Sequence, residues 1–353
     1  MFIVDAHLDL AYGALRFGRD LRQEVATIRR QEARKKRPNG TITVTIPELL
    51  EAKIGLVFGT LFVMPSGNNR LPDNERLVYK DADGAYRAAG EELDYYRRLA
   101  DEMERVRLVG DLATLETVMA SHDDNEAAQL GIVPLMEGAD PVRSPQELEE
   151  WYERGVRIIG PAWDNTRYAH GAWRGGGGFT AEGHQLMEVM ADLGFILDIT
   201  HLSEEASLEA LERYEGVLVA THSNARALVP GERQLSDEQI RRLAERNGVV
   251  GVVLFNGFLK PDYATTDPKE SVTLDAVVAQ IDYICQLLGD AEHVGIGSDM
   301  DGGFGQEAIP AEIDTAADLA KIAGALAERG YDAGAIARIM GGNWVERLRV
   351  AFA

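Results

Sequence analysis

The chain has 353 residues, 45% of them hydrophobic, and a formal net charge of −22, with a pI near 4.7. That is ample apolar material for a sizeable core, and so acidic a surface argues against a nucleic-acid or anionic-membrane partner, whose phosphates it repels. The lone cysteine, Cys285, excludes an intrachain disulfide and any thiolate metal cluster, and its neighbours Ile284 and Leu287 mark it as a buried core thiol.

The first apolar run, residues 2–4, leads into Asp5-Ala6-His7-Leu8-Asp9. Side chains two apart on a strand point the same way, so His7 and Asp9 can face one site. An imidazole and a carboxylate aimed together suit a divalent cation such as zinc. Residues 16–40 follow as a highly charged insert, with Arg29-Arg30 and Arg34-Lys35-Lys36-Arg37. The net charge favours a partly helical, solvated excursion over a nucleic-acid arm.

Seven further apolar runs follow at 55–63, 131–136, 156–160, 195–199, 217–220, 249–255 and 293–297. Amphipathic segments separate them, notably 85–106, 180–193, 204–214, 237–247 and 274–288. Strands that are apolar throughout, alternating with helices, predict a parallel sheet covered by helices. Eight such units predict an α/β fold of the closed (β/α)₈ TIM-barrel type; an open doubly wound sheet is the structural alternative. Residues 171–178, which include four consecutive glycines, read as a mobile loop. They lack the spacing and the lysine of a phosphate cradle. Residues 333–352 read as two terminal helices joined at Gly341-Gly342. No internal repeat or low-complexity linker divides the chain, so residues 1–353 are expected to form one domain. No apolar stretch looks long enough to span a bilayer, and the N-terminus lacks a basic region followed by an apolar one. The expectation is a cytoplasmic protein without a membrane partner.

In such barrels the active site lies at the C-terminal ends of the strands. The polar residues that end the runs are therefore the candidates. The first run leads to His7 and Asp9, the third to Glu137, and the fourth to Trp163. The fifth ends in His201, the sixth in His222, and the eighth in Asp299, with Asp301 two further on. His122 and His184 fall in helical or loop stretches, His293 starts a strand, and His170 sits in the fourth loop. Any one strand-end histidine is more often a hydrogen-bonded structural residue than a ligand. Glu137 could start a helix, and Asp299 could be a turn residue before Gly302-Gly303. Five separate strands ending in good ligands favour a metal site.

A two-metal site needs a carboxylate bridging ions roughly 3.5–4 Å apart. His7, Asp9 and Glu137 can hold one ion, and Glu137, His201 and His222 the other. Two ions would bring a bridging water's pKa toward neutrality and make hydroxide available. Asp299 is then free to orient that water and carry its proton.

The most specific pieces are Asp5-Ala6-His7-Leu8-Asp9, Asp198-Ile199-Thr200-His201-Leu202-Ser203, Thr221-His222-Ser223-Asn224-Ala225-Arg226 and Gly295-Ile296-Gly297-Ser298-Asp299-Met300-Asp301-Gly302. In this order, with Glu137-Gly138 between, they resemble the membrane (renal) dipeptidase family of the amidohydrolase superfamily, in its soluble bacterial form. The resemblance runs from Asp5 to about Trp344. It implies a barrel with two zinc ions that cleaves dipeptides, often with a D-residue at the C-terminal position. By that resemblance His7 and Asp9 bind one zinc, Glu137 bridges, His201 and His222 bind the second, and Asp299 is the catalytic aspartate. The family's substrate-carboxylate arginine, eleven residues after the sixth-strand histidine, falls on Arg233, and a guanidinium fork suits a carboxylate. Arg226 reads as a structural ion-pair residue.

One departure concerns the histidine that mammalian members place after the fourth strand against the scissile carbonyl. Gly160-Pro161-Ala162-Trp163-Asp164-Asn165 puts Trp163 there, and an indole has one N–H and no titratable nitrogen. Asn165 or His170 could take over, with Trp163 as an apolar wall. The C-terminus carries no glycolipid-anchor signal.

The expected activity is a metallo-dipeptidase acting on L-Xaa-L-Xaa or L-Xaa-D-Xaa through a metal-bridging hydroxide. A binuclear deacylase or lactonase is the alternative, and a non-enzymatic binding module the third reading. Zinc is favoured, although the same ligands admit manganese or iron. Phe255, Phe258 and Tyr263 could line the pocket or simply pack. A symmetric homodimer is the default oligomer.

Overall fold

The computed structural model describes residues 1–33, 39–69, 71, 74–123 and 128–353. Eight strands carry the architecture: β1 (Ile3–Leu8), β2 (Ile54–Phe62), β3 (Leu130–Glu137), β4 (Ile158–Gly160), β5 (Ile196–Asp198), β6 (Leu218–Val219), β7 (Val250–Val252) and β8 (Val294–Ile296). They lie in the order β7-β8-β1-β2-β3-β4-β5-β6, and every pairing between them is parallel. A parallel bridge between Ala220 and Val250 joins the two ends. There Ala220 N donates to Val249 O at 2.9 Å, and Gly251 N to Ala220 O at 2.7 Å. The result is the predicted barrel. Each of the eight apolar runs overlaps one of its strands.

These strands are buried at every residue, as expected of a parallel sheet covered on both faces. Val4, Ala6, Leu56, Phe58, Val133, Leu135, Ile158, Ile196 and Val219 pack on one another across six strands. Trp344 joins them from the C-terminal helix, its Nε1 donating to Ile296 O at 3.1 Å. A larger apolar cluster fills the layer between strands and helices.

The helices start where the sequence offers caps. Asp81 accepts from Gly84 N before α3 (Ala82–Glu102), with α1 (Leu10–Phe17) and α2 (Val25–Glu32) preceding it. Thr180 caps α4 (Ala181–Leu193), Ser203 caps α5 (Glu204–Arg213), and Ser236 forms a capping box with Gln239 at α6 (Asp237–Glu245). Gly194 ends α4, and Gly289 ends α7 (Leu274–Leu288), each in the left-handed conformation. The terminal helices Ala333–Ala337 and Asn343–Ala351 are separated by a wide turn broken at Gly341.

Several expectations need correction. The helix expected over 85–106 ends at Glu102, and Val106 opens a short strand, Val106–Leu108, that pairs with β3. The charged insert is not merely solvated. Arg16 and Arg19 are 5% and 6% exposed; Arg16 reaches Asn69 Oδ1 at 2.6 Å, and Arg19 forks onto Glu32 at 3.0 and 3.2 Å. Long arginine stems bury well once their donors are met. Arg34, Lys35, Lys36 and Arg37 lie outside the described residues. The segment Lys269–Leu288 is long and apolar enough, by length and composition alone, to cross a membrane. Its apolar stripe of Val277, Ile281, Ile284 and Cys285 packs into the protein core.

The close approach of the end of β6 to β7 and β8 rests on two missing side chains. A Cβ at Gly251 would sit 1.9 Å from Thr221 O, and one at Gly297 only 1.7 Å from it. Neither backbone can yield without parting strands. Gly297→Ala should therefore cost about 3 kcal/mol or abolish folding; urea denaturation checks this, and an unchanged midpoint would contradict the close approach.

Candidate metal centre

The strand ends converge as the sequence suggested. His7 lies in β1, Glu137 closes β3, and His201, His222 and Asp299 each sit three residues beyond β5, β6 and β8. Asp9 precedes α1 but makes no capping bond; its carboxylate accepts from Thr60 Oγ1 instead. Glu137 Oε2 lies 3.4 Å from His7 Nε2. Glu137 Oε1 lies 3.1 Å from His201 Nε2 and 3.5 Å from His222 Nε2. Those two imidazole nitrogens are themselves 2.9 Å apart. Asp9 Oδ1 and Asp299 Oδ1 each stand 3.9 Å from His7 Nε2. All six residues gathered from the sequence thus meet, within a buried space.

The backbone is bent to achieve this. His201, Asp299 and Asp301 have φ values of 67°, 56° and 65°, a region that costs a non-glycine residue energy and recurs at functional sites. Neighbours hold each bend. Ala172 N donates to His201 O at 2.7 Å, and Asp299 N to His7 O at 3.1 Å. Asp5 accepts from Ser298 N at 2.7 Å and from its hydroxyl. Asp301 accepts from Thr43 N, Thr43 Oγ1 and Val44 N at 2.8 to 3.1 Å.

Burial and mutual charge set the protonation. Burial presses the His7 imidazole down, but the Glu137, Asp299 and Asp9 carboxylates outweigh it and lift His7 to about 9. Burial would raise Glu137, yet His7 and His201 hold it below the usual carboxylate range. Desolvation raises Asp299 well above that range, with Asp9 and Glu137 repelling its charge. Desolvation, with Arg233 nearby, lowers His201 to about 3 and His222 well below its ordinary value.

These groups fit divalent cations. His7 Nε2 is buried, faces three carboxylates and has no hydrogen-bond partner among the described residues. His201 and His222 turn nitrogens toward each other and toward the same carboxylate oxygen. Three overlapping sets lie within ligand reach: His7, Asp9 and Glu137; Glu137, His201 and His222; and His7, His222 and Asp299. Nitrogen and oxygen donors without thiolate suit zinc, and admit manganese or iron.

Arg233 is 6% exposed, not the surface residue its helix-preceding position could suggest. Its Nη2 donates to His222 O at 2.8 Å and lies 3.2 Å from His201 Nε2. Trp163 stands with its ring centroid 6.1 Å from that of His201, packed edge-on against Phe62. Half-exposed Trp173 flanks His201 at 5.9 Å. Asn165 is exposed; its side-chain oxygen accepts from Gly171 N at 2.9 Å, so it braces the loop beside the site. That loop is tethered, with Gly177 N donating to Glu205 at 3.0 Å and Gly177 O accepting from Ser203 at 2.6 Å. Phe255 packs against Phe258, Tyr263 and Phe304, while Phe258 lies under the Arg233 guanidinium. Arg226 pairs with Glu204 at 2.6 Å. His122, His184 and His293 contact Gln129 O, Glu209 and Gly248 O.

Sequence reasoning missed Thr60, Thr221 and the fully buried Glu92. Burial and repulsion from Asp9 and Glu137 push the Glu92 carboxyl well up. Asp5 and Asp198 carried a readable signal, since each interrupts an apolar run.

Because metal and proton compete for His7 Nε2, divalent-ion affinity should climb as pH rises from neutrality toward about 9 and level beyond. Calorimetry of zinc binding in buffers of different ionisation enthalpy should show proton release at neutral pH. A pH-independent affinity across that window would contradict the assignment.

The family model described as membrane dipeptidase (peptidase family M19) matches residues 1–351. A Klebsiella pneumoniae protein named for the pqqA 5′ region is 33% identical over 261 residues, 71% of this chain and 91% of its own length. The crystal structure of dipeptidase AC, a family M19 metallopeptidase, superposes with a TM-score of 0.80 at 26% identity, over 100% of this chain and 99% of that one. A Rhodobacter sphaeroides metallopeptidase, solved with a phosphinate mimic of the dipeptide L-Ala-D-Ala, shares the fold at a TM-score of 0.79 and 23% identity, over 99% of each chain. With the strand-end cluster and this match along nearly its whole length, the chain belongs to the membrane dipeptidase family, peptidase family M19, and is a metallo-dipeptidase.

Proposed function

We propose that the protein hydrolyses free dipeptides, L-Xaa-L-Xaa or L-Xaa-D-Xaa, with two zinc ions held by His7, Asp9, Glu137, His201 and His222. The observation that carries this reading is the Glu137 carboxylate, which turns one oxygen to His7 and the other to His201 and His222. When bound, two such ions supply Lewis acidity and a water nucleophile at neutral pH. Placement in the cytoplasm belongs to the same proposal.

The chain's own residues account for the remainder. Desolvation lowers the Arg233 guanidinium only to about 10, so it stays charged at neutral pH. Beside His201 and His222, it fits the substrate's C-terminal carboxylate through charge-assisted bonds. That demand restricts the enzyme to a free C-terminus. Asp299, raised by burial, accepts the nucleophile's proton at a carboxylate oxygen and delivers it to the leaving nitrogen as the C–N bond breaks. Trp163, packed on Phe62, and half-exposed Trp173 flank His201 as aromatic faces on one side of the site.

The test is a dipeptide panel in both stereochemical series, run on protein of measured metal content. Wild type should release free amino acids. Arg233→Met should lose 10- to 100-fold in kcat/KM on dipeptides and little on C-terminally amidated analogues. Asp299→Asn should lose on the order of 10²- to 10⁴-fold in kcat. Metal-loaded wild type that releases nothing would overturn the reading in favour of a deacylase or lactonase.

A further inference from the structure

We propose that one hydroxyl, Thr221 Oγ1, is a positioning group shared by both candidate ion positions, fixing His7 and His222 in the tautomer that leaves each Nε2 free. The inference rests on the metal reading above. Thr221 is fully buried. Its Oγ1 lies 2.5 Å from Asp198 Oδ2, 3.0 Å from His222 Nδ1 and 3.4 Å from His7 Nδ1. The two imidazole rings lie tilted against each other, with centroids 3.6 Å apart and planes 35° apart.

The assignment follows from counting hydrogens. A hydroxyl has one hydrogen and two lone pairs, and a carboxylate only accepts. Asp198 Oδ1 already takes Thr200 N at 2.9 Å and Thr221 N at 3.0 Å, which anchors the carboxylate. The Thr221 hydrogen must then go to Asp198 Oδ2. Both lone pairs are left for the two Nδ1 atoms, so both must be N–H donors. Each Nε2 is thereby directed at Glu137, His7 toward Oε2 and His222 toward Oε1. Protonation of His7 does not disturb this, because the imidazolium keeps its Nδ1 hydrogen.

Two further observations agree. Thr221 cannot drift, because its carbonyl is wedged between Gly251 and Gly297. His201 has no such partner: its Nδ1 is buried and unbonded among the described residues. The shared hydroxyl thus couples one imidazole of each position and leaves out the third. Groups that orient metal-ligating histidines in this way commonly carry a 10- to 100-fold share of metal affinity.

The test compares wild type, Thr221→Val and Thr221→Ser. Long-range ¹H–¹⁵N correlation spectra of metal-free protein, at neutral pH and at a pH high enough to deprotonate His7, report which nitrogen carries each hydrogen. Zinc affinity comes from competition with a chromogenic chelator. Wild type and Thr221→Ser should show Nδ1–H at His7 and His222. Thr221→Val should lose that preference at both and bind both zinc equivalents 10- to 100-fold more weakly. An Nε2–H tautomer at either residue in wild type overturns the inference without any variant, as does a Thr221→Val protein with unchanged tautomers. Wild type with the stated tautomers but no zinc uptake supports the hydrogen-bond assignment and sinks the metal reading.

Discussion

The Glu137 carboxylate, with an imidazole against one oxygen and two against the other, sets the demands the rest of the structure meets. An ionised carboxyl out of water is expensive unless it is paired. Glu137 is paired only because three strands deliver histidines to one point. Those histidines lie far apart along the chain, and a closed parallel barrel is the architecture that brings such strand ends together. The apolar interior beneath, capped by Trp344, keeps the cluster dry. Dryness penalises the charged form of His201, which falls, while it strengthens the pull of three carboxylates on His7, which rises.

The barrel and the cluster were legible for one reason. Strands buried on both faces are almost continuously apolar, so a histidine or acid at the end of a run stands out. His7, Glu137, His201, His222 and Asp299 were found that way. Thr221 was not, because threonine is an ordinary strand residue and its meaning comes from Asp198, 23 positions away. Thr60 behind Asp9 is the same case. Glu92 hid among the other acids of α3, where only burial sets it apart. The strand Val106–Leu108 was too short to show a period and was absorbed into the preceding helix.

The charged insert is partly helical, as its sequence suggests, but it is more than a solvated excursion. Within it Asn39 donates to Asp301 O at 2.7 Å, and just beyond it Thr43 and Val44 donate to the Asp301 carboxylate. A segment that reads as an appendage thus helps hold Asp301 in its left-handed conformation. Arg16 and Arg19 are buried because the segment packs against the barrel mouth. Charge counted along a sequence says nothing about whether each arginine will find a carboxylate or carbonyl to enclose.

Thr221 belongs to two structures at once. Its carbonyl lies close against Gly251 of β7 and Gly297 just past β8, and its hydroxyl touches the histidines. Any breathing of the cylinder along that line tilts the imidazoles with it. An ion held there would then leave by the same motion that parts the wall, and a stiffer wall would retain it longer.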